Sequence, residues 1–149
     1  MNIILIIFDS LRRDCVGAYG SPPWWKVHTP HLDAFAREAL VMNRAFPESL
    51  PTLPTRRALY TGQRTYPFDK GNVMLKGDWG FPGWGPIPEE QLTVAEMLQE
   101  AGYRTALISD LYHMFKPSKN FWRGFDQWTF LRGQETDPAR SGPRLTQAE

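Results

Sequence analysis

A hydroxyl and a guanidinium four residues apart, set among prolines, are the first chemistry-bearing pair in this sequence. They are Thr52 and Arg56, within Glu48-Ser49-Leu50-Pro51-Thr52-Leu53-Pro54-Thr55-Arg56-Arg57-Ala58-Leu59-Tyr60-Thr61-Gly62. Pro51 and Pro54 exclude a helix ahead of Pro54, because proline fixes φ and disfavours helical backbone in the residue before it. Residues 55–60 are helix-compatible, Pro54 suits a first helical turn, and Thr61-Gly62 reads as a stop. Thr52 is therefore expected at or just before a helix N-terminus. Unpaired amides and the helix dipole favour an anion there, and Arg56 reaches the same spot. A hydroxyl, amides and a guanidinium at one point suit a tetrahedral oxyanion. The plain alternative is a capped helix after a proline-rich turn, since threonine is a common cap. Local chemistry leaves both open.

Two further groups complete the candidate chemistry. Asp9 follows the apolar run 2–8, and a carboxylate at the carboxyl end of a central strand is where open α/β sheets place ligands. Its alternative is an Asx turn or a helix cap. His113 lies just past a second expected strand, in Ser109-Asp110-Leu111-Tyr112-His113. A loop imidazole titrates near neutrality and suits general-acid work, or it is simply a hydrogen-bonded loop histidine. Arg12 reads as a salt-bridge partner before it reads as an anion ligand. Cys15 reads as a small space-filler, and His28 and His31 as exposed loop and first-turn residues.

These groups need elements to hold them. The run 2–8 is nearly continuous in branched and apolar residues, which fits a strand buried on both faces. That implies an α/β fold with a mostly parallel sheet and helices on both faces. Thr29 and Pro30 start a helix over residues 29–39, with Leu32, Phe35, Ala36 and Ala39 as its apolar stripe. Residues 40–46 read as a short strand leading to Thr52. Thr93-Val94-Ala95-Glu96 is a capping box, so a helix follows and ends at Gly102. Residues 103–108 are then a strand. Helix, glycine, strand is half of a right-handed crossover, which predicts a parallel neighbour for the first strand. Asp9 and the segment 109–113 would then share one sheet edge. Residues 63–87 show little periodicity. Phe68, Trp79, Phe81 and Trp84, spaced by glycine and proline, fit either a wall over the site or packing against another part of the protein.

Composition sets bounds. The 149 residues suffice for one domain. A net charge of +1 gives no field that would draw nucleic acid or an anionic membrane, so neither is expected as a partner. One cysteine excludes an internal disulfide. The apolar run 2–8 is too short for a membrane span and has no basic residues before it, so a cytoplasmic location is expected.

Thr52-Leu53-Pro54-Thr55-Arg56, followed by Thr61-Gly62, is similar to the sulfatase signature Cys/Ser-x-Pro-x-Arg with a downstream Thr-Gly. The likeness extends along the chain. Asp9-Ser10-Leu11-Arg12 resembles the family's start, where a strand ends in a metal-binding aspartate. Ser10 stands where many sulfatases have a second aspartate, as in related phosphonate monoester hydrolases. Thr29-Pro30-His31-Leu32-Asp33 resembles the family's Thr-Pro-Asn-Leu-Asp helix. The segment 109–113 resembles Gly-Lys-Trp-His-Leu-Gly, with His113 on the histidine and Leu111 on the lysine. Gly124-Phe125-Asp126 matches a later Gly-Phe-Asp.

What the resemblance implies is an alkaline-phosphatase/sulfatase-like catalytic domain, of which residues 1–131 are the N-terminal portion and 132–149 a polar, flexible tail. It implies a hydrolase of sulfate or phosphate/phosphonate esters. Thr52 would be the nucleophile in place of the cysteine or serine that becomes formylglycine, as in related phosphodiesterases and phosphomutases. Asp9 and Thr52 would be metal ligands. Thr52, Arg56 and His113 would be catalytic, with Arg56, His113 and Lys116 binding substrate, Lys116 replacing the missing lysine. The cofactor would be a divalent cation, calcium from the oxygen ligands, or zinc or manganese if histidines join later. The partners would be a small-molecule sulfate or phosphate ester and the remaining C-terminal part of the domain, without which the chain is expected to be inactive. A phosphotransferase or mutase of the same superfamily, and a non-catalytic binding protein on the same fold, stay open beside the hydrolase.

Overall fold

The computed structural model describes residues 1–65, 79–80, 82–116, 119–134 and 137. The chain divides into two compact units, Met1–Phe46 and Pro47–Glu149.

In the first unit, helix α1 spans Pro30–Glu38, with Pro30 in its first turn as expected. Thr29 organises the surroundings rather than capping the amides. Its hydroxyl accepts from the Gly17 amide at 2.8 Å and donates to Asp33 at 2.9 Å. This ties α1 to the 3-10 turns Arg13–Cys15 and Gly17–Tyr19. Two expectations are corrected here. Residues 2–8 and 40–46 form no strand, and Ile3 to Phe8 stay between 38% and 83% exposed. A strand is held by ladder hydrogen bonds to a neighbour, and among the described residues neither run has one. Cys15 is exposed rather than space-filling.

The second unit holds the core and the sheet. Helix α2 is Thr52–Thr61, α3 is Val94–Glu100, strand β1 is Ala106–Ser109, the single turn α4 is Tyr112–Phe115, and β2 is Gln127–Phe130. The core is Leu53, Tyr60, Trp84, Ile87, Leu111, Met114 and Phe121. Helix α2 starts at Thr52, earlier than the prolines suggest. The first helical amides have no intrahelical partner, so Pro54 in the third position removes nothing the helix uses. Gly62 ends it in the left-handed conformation (φ 65°), donating to the Ala58 carbonyl at 2.8 Å.

Strands β1 and β2 pair in parallel, Ala106 opposite Gln127 through Ser109 opposite Phe130. The neighbour of β1 is thus β2, not the run 2–8. Trp128, Thr129 and Phe130 carry the strand propensity that marks it. The start of the pair is fixed by Asp126, whose carboxylate accepts from the Thr105 amide at 2.8 Å and from Gln99 at 3.0 Å. The Thr105 hydroxyl in turn donates to Gly124 O at 2.8 Å. Helix α3 carries the expected capping box: the Glu96 amide donates to the Thr93 hydroxyl at 3.2 Å, and the Thr93 amide to the Glu96 carboxylate at 2.8 Å. Glu96 also pairs with Arg123 at 2.6 Å. In the segment after Leu131, Arg132 grips the buried Asp137 carboxylate with two bonds of 2.6 and 2.7 Å. Among the described residues no helix is long and apolar enough to cross a membrane. Phe68 and Phe81 lie outside the described residues.

Two outcomes follow from this packing. Gly124 adopts φ 82°, and a Cβ there would collide with the backbone of Ala95 and Glu96. Gly124→Ala is expected to cost about 1–3 kcal/mol of stability in urea unfolding, more than an exposed glycine would. Glu96 gives a pH dependence. Partial burial opposes its ionisation, but the Thr93 amide and the Arg123 guanidinium outweigh this and hold the carboxyl below its ordinary value of 4.5. A depressed folded pKa contributes stability above 4.5 that is lost as pH falls through the lowered value. Glu96→Gln is expected to remove that part, so the stability gap between the two proteins narrows on acidification; a gap constant from pH 7 to the acid limb in unfolding curves would contradict it.

Candidate active site

Thr52, partly exposed, is the first residue of α2. The helix carries its own first-turn amides, of Thr52 and Leu53, toward that end; Pro54 has none, and the Thr55 amide already bonds Pro51 O at 3.1 Å. The chain entering the helix is held in place by side chains. The Thr55 hydroxyl donates to Ser49 O and Pro51 O at 2.5 and 2.9 Å. The Ser49 hydroxyl bonds Glu48 at 2.9 Å and also meets the Thr65 hydroxyl.

Arg56 is buried, 8% exposed, and its Nη1 donates to Thr52 O at 3.3 Å. The guanidinium therefore lies along the helix against the carbonyl of its first residue. One turn further on, burial pushes the Tyr60 hydroxyl up to about 12, with the Arg56 charge acting against that shift. Tyr60 meets the rings of Phe121 and Phe125 at 5.8 and 6.1 Å. Arg57, also buried, donates from Nε to Gln91 at 3.2 Å.

His113 lies in α4, the turn directly after β1. Leu111 and Met114 on either side of it are buried in the same core as Leu53 of α2. The structure thus brings the Thr52 helix and the His113 turn onto one core. The His113 ring sits edge-on against Trp84, centroids 5.2 Å apart at 64°, and 6.0 Å from the Tyr112 ring. Lys116 lies 5.8 Å over the Tyr112 ring. A second lysine, which sequence reasoning missed, is fully buried: Lys119 donates from Nζ to Trp84 O at 2.6 Å. Its only sequence signal is a lysine amid the aromatic stretch around Phe121 and Trp122, which does not separate a buried cation from a solvated one.

Asp9 belongs to the first unit and Thr52 to the second. Asp9 is exposed, in a turn where Ser10 takes φ 56° and donates its hydroxyl to Asp9 Oδ1 at 3.1 Å. Arg12 pairs with Asp14 at 2.9 Å through Nε, and this bond lowers the Asp14 carboxyl below its usual range. His28 and His31 are exposed, as expected. Among the described residues no group of three or more His, Cys, Asp or Glu could hold a metal ion. Two oxygen donors, Asp9 and Thr52, fall short of the roughly six to eight that calcium takes. The described residues do not complete a metal centre.

With this geometry established, the comparisons with known proteins bear on it. The Sulfatase family model matches residues 1–146. The chain is 28% identical to arylsulfatase D of Homo sapiens over 93% of its own length and 25% of the relative's. It is 32% identical to an ulvan-active sulfatase of Formosa agariphila over 87% of the chain and 24% of the relative. It is 28% identical to an N-acetylglucosamine-6-O-sulfatase of Bacteroides thetaiotaomicron over 89% and 21%. The chain spans about a quarter of the length of these relatives. No solved structure matches it significantly. A turn of helix opened by Thr52 and closed over by Arg56, in a chain that one family model covers almost from end to end, leads to one conclusion: this chain belongs to the sulfatase family.

Proposed function

We propose that the protein carrying this chain hydrolyses sulfate or phosphate/phosphonate esters, with Thr52 as nucleophile. The observation that carries the reading is the first turn of α2: the Thr52 hydroxyl opens the helix and the buried Arg56 guanidinium lies against the Thr52 carbonyl at 3.3 Å. The Thr52 hydroxyl gives its proton to solvent and attacks sulfur or phosphorus there, so that a threonyl ester forms as the bond to the leaving oxygen breaks. The charge that develops on the equatorial oxygens meets the Thr52 and Leu53 amides and Arg56. His113 gives a proton to the leaving oxygen, and water then cleaves the threonyl ester. Lys116 is the proposed second substrate cation. Asp9 and Thr52 are this chain's proposed share of a divalent-cation donor set, calcium or alternatively zinc or manganese, with the other ligands from elsewhere in the protein. A bound cation would favour the ionised hydroxyl of Thr52.

The relatives are named for sulfate esters, which makes aryl and sugar sulfates the first substrates to try. The missing formylglycine precursor makes phosphodiesters and phosphonate esters the second. A non-catalytic reading has one observation in its favour. Leu111, at the family's lysine position, is 3% exposed and serves the core instead of the substrate.

The test is turnover of an aryl sulfate, a phosphodiester and a phosphonate ester, each with added divalent metals, by the complete protein and by the 149-residue chain. The complete protein is expected to turn over at least one, and the chain by itself none. Thr52→Ala is expected to lower kcat on the order of 10⁶-fold, the loss that removing a serine nucleophile causes. Arg56→Lys, which keeps the charge and loses the planar fork, is expected to lose less. Full activity of Thr52→Ala would place the nucleophile elsewhere, no turnover of any ester by the complete protein would favour the non-catalytic reading, and a stable phosphothreonine at Thr52 would favour a phosphotransferase.

A further inference from the structure

The aromatic segment between α2 and α3 has no assigned part in the reaction above, yet Trp84 from it touches the proposed acid. Trp84 is 4% exposed and its indole meets the His113 imidazole edge-on at 5.2 Å. Its backbone is fixed as firmly as its ring. Lys119, fully buried, donates its ammonium to Trp84 O at 2.6 Å. Beyond it, the Ile87 amide donates to Lys119 O at 3.1 Å and the Asn120 amide side chain to Ile87 O at 3.1 Å. Three hydrogen bonds thus join two irregular segments across more than thirty residues of sequence. Trp84 is also met by Trp79, edge to face at 6.4 Å.

We infer that Trp84, anchored through its carbonyl by Lys119, is a positioning residue that fixes the plane of the His113 imidazole for proton delivery to the leaving group. An imidazole on a single helical turn has two soft side-chain torsions. A ring wedged against a buried indole loses that freedom, so the donor nitrogen keeps one direction. Misdirection of a catalytic group by about 1 Å can cost on the order of 10²-fold. The proton moves from an imidazole nitrogen to the ester oxygen as the bond from that oxygen to sulfur or phosphorus breaks. The nucleophile, the oxyanion contacts and the overall balance are unchanged. The inference rests on the assignment of His113 as the acid, and the experiment separates the two.

A leaving group that is already a stable anion needs no proton, whereas a poor one does. The complete protein, Trp84→Leu, Trp84→Phe, Lys119→Met and His113→Gln are compared on phenyl sulfate and p-nitrophenyl sulfate, or on the matching phosphodiesters if those are the substrates turned over. Trp84→Leu is expected to lower kcat on the phenyl ester at least about tenfold, with KM within about twofold and little change on the nitrophenyl ester. Trp84→Phe, which keeps an aromatic edge, restores most of this, and Lys119→Met moves in the direction of Trp84→Leu. His113→Gln shows the same leaving-group selectivity, only larger. Equal losses on both esters, or Trp84→Phe no better than Trp84→Leu, would give Trp84 a merely structural role and overturn the inference. If His113→Gln itself fails to discriminate between the esters, the acid assignment falls first. Trp84→Phe keeps the outcome readable should the leucine variant not fold.

Discussion

The burial of Leu53 and Leu111 in one core is the constraint on which the candidate site depends. Leu53 follows Thr52 directly, and Leu111 precedes His113 by two residues. Removing each leucine side chain from water is worth about 1.5–3 kcal/mol, more than a typical hydrogen bond between neutral groups. With Leu53 pointing inward, the neighbouring Thr52 is turned about 100° around the helix and stays partly exposed. Arg56, three residues after Leu53, falls on the inward face and is buried. A buried guanidinium must find acceptors, and the Thr52 carbonyl four residues back is one within its reach. The guanidinium beside the first turn is therefore a consequence of where the leucine goes.

A second constraint is polar. The segment 84–88 has no regular structure, so its carbonyls cannot be satisfied by a ladder or a helix. Lys119, Asn120 and Arg123 take three of them: Lys119 bonds Trp84 O, Asn120 bonds Ile87 O, and Arg123 Nη1 reaches Pro88 O at 3.2 Å. The same Arg123 pairs with Glu96 in the capping box of α3. Asp126 then joins the end of α3 to the starts of β1 and β2 through Gln99 and Thr105. The short stretch 119–126 thus holds the aromatic segment, the third helix and the sheet at once. This gives the Gly-Phe-Asp motif a physical role: Gly124 allows close approach to α3 and Asp126 sets the strand register.

Features encoded by neighbouring residues were legible in the sequence. The Thr93–Glu96 capping box, Pro30 at the head of α1, Gly62 at the end of α2 and the Thr52–Arg56 spacing all rest on contacts within four residues. Features that rest on distant partners were not. The partner of β1 turned out to be β2, because parallel pairing is chosen by tertiary packing and leaves no local trace. Helix α2 starts at Thr52, before the position the prolines suggest, because the first helical turn forgives a missing amide. Lys119 was invisible for the reason that makes it interesting: its acceptor lies 35 residues away, on a carbonyl that any residue type could have supplied.

The same division separates the two halves of the proposed chemistry. The nucleophile, the guanidinium and the acid are all carried by a unit with its own core. Asp9 is placed by a local turn at Ser10, at the end of an apolar run that is largely exposed. A carboxylate at such a place is exposed to water, and binding a cation with it would cost part of that hydration. The charges of the proposed site divide in a similar way. Leu111, which the resemblance sets on the family's lysine position, is given to the core, while Arg56 is held at the Thr52 carbonyl by the helix that carries both. In the proposed site an anionic ester would therefore meet Arg56, Lys116 and the divalent cation together, and it is the sum of these charges, not one guanidinium, that would decide among esters.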